Sequence, residues 1–208
     1  MTRIEPHRLS LYVVTSSGFV SGRGHREVAL AAIEGGATAI QLRAPELMDS
    51  SLLPLAQELA EACRAADVLF VVNDRVEMAA EAGAGAHVGQ SDDPARAREV
   101  LEPDSVLGIS VATPEEAIAA EAAGADYLGV TVWATPTKAD AVPCGLDGLR
   151  AVVDATSLPV VGIGGINPGN AGEVLEAGAA GVAVISAVGA GPDMVGATRR
   201  LRTIVGER

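Results

Sequence analysis

The chain has 208 residues, enough for one full hydrophobic core and short for two. Hydrophobic residues make up 49% of it, yet no apolar run approaches the ~18 to 20 residues needed to span a bilayer. A formal net charge of −12 argues against nucleic acid and membrane surfaces as partners, while leaving room for phosphorylated small molecules wherever hydrogen-bond donors are concentrated.

In chain order, the opening segment MTRIEPHRLS lacks the apolar centre of an export signal, so a cytoplasmic location is expected. The first β-type run is LYVVT (11–15), followed by the helical stretch EVALAAIEGG (27–36). AIQLR (39–43) precedes the helix LLPLAQELAEACRAA (52–66). LFVVND (69–74) and AHVG (86–89) are short strands separated by an Ala-rich helix. VLGIS (106–110), PEEAIAAEAAG (114–124) and YLGVTV (127–132) continue the alternation, and PVVGIG (159–164), PGNAGEVLEAG (168–178) and GVAVIS (181–186) complete it. Several helices close on Gly then Ala, the glycine supplying the left-handed residue that ends a helix. Pro94, Pro114 and Pro168 stand where a helix's first turn would begin. Cys63 and Cys144 lie far apart without CxxC spacing and read as free thiols in a reducing compartment.

Eight continuous apolar strands, each followed by a helix, describe a parallel sheet covered on its outside. Eight units close into a (β/α)8 barrel, here a single α/β domain over residues 1–208. An open doubly wound sheet is the alternative, but its GxGxxG fingerprint is absent after the first strand, where TSSGFVSGRG stands.

Barrel chemistry sits at the C-terminal ends of the strands. Those ends carry Thr15, Gln41 with Arg43, Asn73 with Asp74, Gln90 with Asp92, Ser110, Thr135 to Lys138, Gly164 with Gly165, and Ser186. Singly, each could be a solvated loop residue or a cap. Gathered on one rim of an apolar barrel, they point to a polar ligand. GIGGI (162–166) and VISAV (184–188) close the last two strands, where glycine lets backbone N–H groups approach a phosphate; tight packing is the plain alternative. Asp74 and Asp92 end neighbouring strands, and a few hard oxygen donors suit a Mg²⁺ that also binds substrate phosphate oxygens. Helix capping is the alternative for either acid, but Asp93, directly before Pro94, is the better cap and leaves Asp92 for the mouth.

In this order, LYVVT, QLR, NDR, HVGQSD, LGIS, ATPTK, GIGGI and VAVISA resemble the thiamine-phosphate synthase family, from residue 11 to residue 188. The resemblance implies a Mg²⁺-dependent transferase of thiamine biosynthesis. Such an enzyme condenses 4-amino-5-hydroxymethyl-2-methylpyrimidine pyrophosphate with thiazole phosphate, giving thiamine monophosphate and pyrophosphate by dissociative substitution. It implies that Gln41, Arg43 and Asn73 hold the pyrimidine and its pyrophosphate, and that Asp74 and Asp92 ligate Mg²⁺. Ser110, Thr135, Thr137 and Lys138 would contact the substrates, and Gly164, Gly165, Ile185 and Ser186 would hold the thiazole phosphate. Arg43, Ser110 and Lys138 carry the catalytic roles in this reading. The thiazole's own nitrogen is the nucleophile, so no enzyme nucleophile is needed. Nothing in the pattern speaks against a homo-oligomer.

The chain departs from the family pattern at three places. Ala44 and Pro45 follow Arg43 where a lysine is usual, Thr15-Ser16 replaces Thr-Asp, and the end of the sixth strand is short. Losing one charge-assisted pyrophosphate contact would cost about 1.5–3 kcal/mol. Arg23, Arg75 and Arg96 are the candidates to replace the missing charge. Two other readings therefore stay open. One is a thiazole tautomerase-like isomerase, although Ala112 stands where that branch uses histidine. The other is a thiazole-phosphate-binding paralogue with weakened catalysis. His87 reads as a satisfied core or rim histidine, while His7 and His25 show no partner in spacing. Trp133 could flank the pyrimidine or pack beneath its loop, Cys144 has no activating base nearby, and residues 139–145 read as a lid.

Overall fold

Parallel pairing on both edges explains why the apolar runs are continuous. In the computed structural model, which describes residues 4–18, 23–89, 92–134 and 142–206, they form eight strands. These are β1 (Leu11–Val14), β2 (Ala39–Leu42), β3 (Leu69–Asn73), β4 (Gly85–Val88), β5 (Leu107–Val111), β6 (Tyr127–Thr131), β7 (Val160–Ile163) and β8 (Gly181–Val184). Each pairs in parallel with the next, and β8 returns to β1 with Val182 opposite Leu11, so the sheet closes. The expected (β/α)8 barrel is the fold.

The outer layer holds α1 (His25–Glu34), α2 (Asp49–Ala65), α3 (Val76–Glu81), α4 (Pro94–Val100), α5 (Pro114–Ala122), α6 (Gly145–Ala155), α7 (Ala171–Glu176), α8 (Ser186–Gly189) and α9 (Met194–Val205). Among the described residues, no helix is long and apolar enough to cross a membrane. Both cysteines are free. Pro94 and Pro114 open their helices as expected, each behind a side-chain cap. Asp93 accepts from the N–H groups of Ala95 and Arg96, and Thr113 accepts from that of Glu116. Pro168 does not open a helix, because α7 starts three residues later. Asn170 accepts from the Asn167 N–H at 2.8 Å and Asn167 from the Gly169 N–H at 2.8 Å, so local Asx bonds hold residues 167–170 as a turn.

A closed sheet has two faces, and strand side chains alternate between them. Ile40, Leu42, Val72, Leu107 and Val130 pack outward against the helices, while Tyr12, Val14, Val71, Tyr127 and Val161 pack inward, in two separate apolar clusters. Ile4 joins the inner cluster from the described start of the chain, and Leu9 from a 3-10 turn at Pro6–Leu9 that the sequence reading did not anticipate. A Cβ on Gly181, at the start of β8, would lie 1.9 Å from the Leu9 carbonyl oxygen. The N-terminal segment thus plugs the bottom of the barrel against a glycine, and polar residues are left to the opposite end.

Candidate active site

A cavity of about 500 Å³ opens at the C-terminal mouth. Every strand contributes to it, and the expected strand-end residues that are described line its wall, apart from Thr15. Gln41 and Arg43 enter from β2, Asn73 and Asp74 from β3, and Asp92 from beyond β4. Ser110 comes from β5, Gly164 and Gly165 from beyond β7, and Ile185 and Ser186 from beyond β8. Gln90, Thr135, Thr137 and Lys138 lie outside the described residues, as do residues 139–141 of the expected lid. Val142, in its described part, is 75% exposed and lines the cavity.

The acidic side of the mouth is built by two strand ends. Asp74 follows β3 with φ 62°, a left-handed conformation costing a non-glycine residue about 1–2 kcal/mol. Its N–H donates to the His87 carbonyl at 2.9 Å, which ties this strained turn to β4. Asp92 is not as free as the sequence reading had it: its Oδ2 accepts the Gly89 N–H at 2.7 Å, which ties the carboxylate to the end of β4. Among the described residues, no three His, Cys, Asp or Glu side chains gather as a metal cage. Two carboxylates facing one cavity instead fit a Mg²⁺ whose coordination is completed by water and substrate phosphates. Asp74 and Asp92 are the residues that would hold it.

Behind Arg43 stands a cluster that spacing could not reveal. Thr15 is fully buried rather than on the rim, and its Oγ1 accepts the Arg43 N–H at 3.2 Å. His25, read from sequence as unpartnered, places Nδ1 2.9 Å from Thr15 Oγ1 and Nε2 2.7 Å from Glu46 Oε1. Ser17 also donates to Glu46. Partial burial pushes the Glu46 carboxyl up, but the hydrogen bonds from Ser17 and His25 outweigh it and bring the group down to about 2. Residues from three separate segments thus brace the backbone that carries Arg43.

The lysine missing after Arg43 takes no charge from the cavity. Ala44 is 5% exposed and packed in the outer apolar cluster, so a side chain at this position does not enter the mouth. None of the three candidate replacements lines the cavity either. Arg23 donates to the Gly189 and Gly191 carbonyls, Arg75 reaches Asp49 and the Leu47 carbonyl, and Arg96 lies between Glu77 and Glu99. Among the described residues lining the mouth, Arg43 is the cation.

Across the cavity, Gly164 and Gly165 have φ of +95° and +64°. A Cβ on Gly164 would lie 2.3 Å from the Trp133 carbonyl oxygen, so the turn after β7 needs glycine for both conformation and space. The side-chain amides of Asn167 and Asn170 donate to the Gly165 carbonyl at 3.3 and 3.1 Å and fasten the turn. Trp133 packs against the outer core and does not line the cavity, which decides between its two sequence readings. Burial pushes the Cys144 thiol up, in keeping with its lack of a catalytic role.

The floor of the cavity is polar in one line. Gln41 Nε2 donates to Tyr12 Oη at 3.0 Å, and Tyr12 Oη lies 2.8 Å from Tyr127 Oη. Tyr127 Oη is 2.9 Å from His87 Nδ1, and His87 Nε2 is 3.0 Å from Ser110 Oγ. His87 is the satisfied histidine expected, but the two tyrosines were not singled out from sequence. Their signal was there: they are inward-facing strand positions that carry a hydroxyl. Burial raises both phenol pKa values, so the pair is neutral.

The family model for thiamine monophosphate synthase matches residues 11–188. The chain is 50% identical over 199 residues to a thiamine-phosphate synthase of Moorella thermoacetica, covering 94% of this chain and 95% of that one. It is 48% identical over 198 residues to that of Chloroflexus aurantiacus, covering 94% and 92%. Among solved structures, it is similar to a thiamine phosphate pyrophosphorylase from Pyrococcus furiosus, with a TM-score of 0.87, 42% identity and 96% of each chain covered.

Proposed function

The chain belongs to the thiamine monophosphate synthase family, and from that membership we propose that it is a thiamine-phosphate synthase that joins a pyrimidine pyrophosphate to a thiazole phosphate in its barrel mouth. One observation carries the reading onto these residues. A single cavity of about 500 Å³ has Arg43 with two carboxylates on one side and a glycine turn on the other, so both phosphorylated ends have distinct places.

In the proposed reaction the bond between the pyrimidine's methylene carbon and the pyrophosphate oxygen breaks, and the oxygen keeps the electron pair. The thiazole nitrogen then supplies the pair for the new C–N bond. Arg43 and Asn73 hold the departing pyrophosphate, and Lys138, which follows β6 in the sequence, adds a second cation. Asp74 and Asp92 hold Mg²⁺, which when bound neutralises leaving-group charge. Gln41 and Ser110 orient the pyrimidine, and Thr135 and Thr137, beside Lys138 in the sequence, contact the substrates. Backbone N–H groups of Gly164, Gly165, Ile185 and Ser186 bind the thiazole phosphate, and Val142 belongs to the cover over the mouth. Holding both reactants together supplies part of the barrier reduction by itself. The free thiols Cys63 and Cys144 suit a reducing cytoplasm.

Ala112 lines the cavity with a methyl group where the isomerase branch would need histidine, which weighs against that reading. The outward packing of Ala44 takes away one of the two arguments for a weakened paralogue, the other being the short end of the sixth strand. The deciding experiment incubates the purified protein with both substrates, with and without Mg²⁺, and reads thiamine phosphate as thiochrome fluorescence. Metal-dependent product is expected. Absence of product, with thiazole phosphate still raising the melting temperature, would leave a binding protein instead.

A further inference from the structure

Five strands each give one polar side chain to the line beneath the cavity: Gln41 (β2), Tyr12 (β1), Tyr127 (β6), His87 (β4) and Ser110 (β5). Two glycines make the room. A Cβ on Gly108 would lie 2.4 Å from Tyr127 Oη and 2.5 Å from His87 Nδ1, and one on Gly129 would lie 3.0 Å from His87 Cε1. Both tyrosines are buried to within 2% of full, and the inner cluster surrounds them with Val14, Val71 and Val161.

The donor inventory constrains such a line. Each neutral phenol has one hydrogen, a neutral imidazole has one donor and one acceptor nitrogen, and the serine has one hydrogen. Four bonds must be filled, and a hydrogen pointed away from the line inside the barrel would go unsatisfied. All four bonds therefore run in one sense. With Gln41 donating, Tyr12 donates to Tyr127, Tyr127 to His87 Nδ1, and His87 Nε2–H to Ser110, whose own hydrogen is left for the cavity. With Gln41 accepting through its carbonyl, every bond reverses, and Ser110 offers the cavity only an acceptor.

We propose that Tyr12, Tyr127 and His87 are positioning residues that couple Gln41 to Ser110, so that the hydrogen-bonding character one end shows the ligand fixes the character of the other. The cavity then selects a ring edge with a donor beside an acceptor over an edge of two donors or two acceptors. This rests on the synthase reading only for the identity of that ring, a pyrimidine. The His87 tautomer is the readout of the line's sense.

The first arm uses ¹⁵N-histidine NMR on the free protein, with the His87 signals assigned against His87→Gln. The wild type is expected as the Nε2–H tautomer. Gln41→Glu puts an acceptor-only group at the far end and is expected to switch His87 to Nδ1–H, three residues along the line. In Tyr127→Phe the same change at position 41 is expected to leave His87 unmoved. An unchanged tautomer in folded Gln41→Glu, or a switch that persists without the Tyr127 hydroxyl, overturns the proposal. The second arm reads turnover: Tyr127→Phe is expected to raise KM for the pyrimidine substrate about tenfold, the scale of one hydrogen bond, with KM for thiazole phosphate unchanged. Equal changes in both KM values would mean general loosening and would also overturn it, including where Gln41→Glu does not fold. A wild type without turnover would sink the synthase reading alone, because the first arm needs no substrate.

Discussion

At the scale of single residues, Arg43 carries the most consequence. It is the cation among the described residues at the mouth, and Thr15 fixes its backbone through a bond that His25 and Glu46 support from behind. A guanidinium gives a pyrophosphate two parallel donors, which an ammonium cannot reproduce. Arg43→Ala is expected to lower kcat/KM between tenfold and a hundredfold, the equivalent of about 1.5–3 kcal/mol. Arg43→Lys should recover only part of that loss. Steady-state kinetics with the pyrimidine substrate varied gives the answer, and full activity in Arg43→Lys would refute two-point recognition. Arg43 itself was legible because it stands at the end of an apolar run. Its support was not, since Thr15, His25 and Glu46 come from three separate segments, His25 opening α1, whose meeting no local spacing encodes.

The same contrast holds for whole elements. Strand and helix order could be read because parallel strands buried on both faces leave continuous apolar runs, and because prolines behind Asp93 and Thr113 mark helix starts. The start of α7 could not, because Asn167 and Asn170 spend their side chains on a turn that a proline-based rule takes for a helix. That turn also sets the shape of the GIGG segment through two amides on the Gly165 carbonyl. Its glycines are not equivalent. A Cβ at 164 would press on the Trp133 carbonyl at 2.3 Å, whereas the nearest atom to one at 165 is 3.4 Å away. Both replacements meet a left-handed backbone, costing roughly 1–2 kcal/mol, but only Gly164→Ala must also displace the chain leaving β6. Its melting temperature should fall by about 4–8 °C, at 2–4 °C per kcal/mol for a chain this long, and KM for thiazole phosphate should rise. Gly165→Ala should fall less, and equal losses in thermal melts of the two variants would remove the distinction.

For the molecule as a whole, closing the barrel puts polar chemistry where an apolar core would be the simpler choice. The chain has two tyrosines, and both hydroxyls lie inside the barrel. Burial raises their pKa values, with the Tyr12 hydroxyl raising Tyr127 further. In the unfolded chain a phenol ionises near pH ~10. A group whose folded pKa is raised stabilises fully below that pH and loses its contribution as pH climbs above it, since the unfolded state then binds fewer protons. Two such groups contribute up to about 2.7 kcal/mol per pH unit to the slope above pH ~10, on top of the loss from the buried Cys63 and partly buried Cys144 thiols, whose raised pKa values act from lower pH. Thermal melts between pH ~9 and ~11.5 should therefore steepen in the wild type, and the loss should be shallower in Tyr12→Phe/Tyr127→Phe. Because no other tyrosine can report, phenolate absorbance near ~295 nm should rise only together with the loss of far-ultraviolet helix signal. Phenolate forming in a still-helical protein would mean that water reaches the line beneath the cavity, and Gln41 and Ser110 would then be two independent contacts rather than the ends of one.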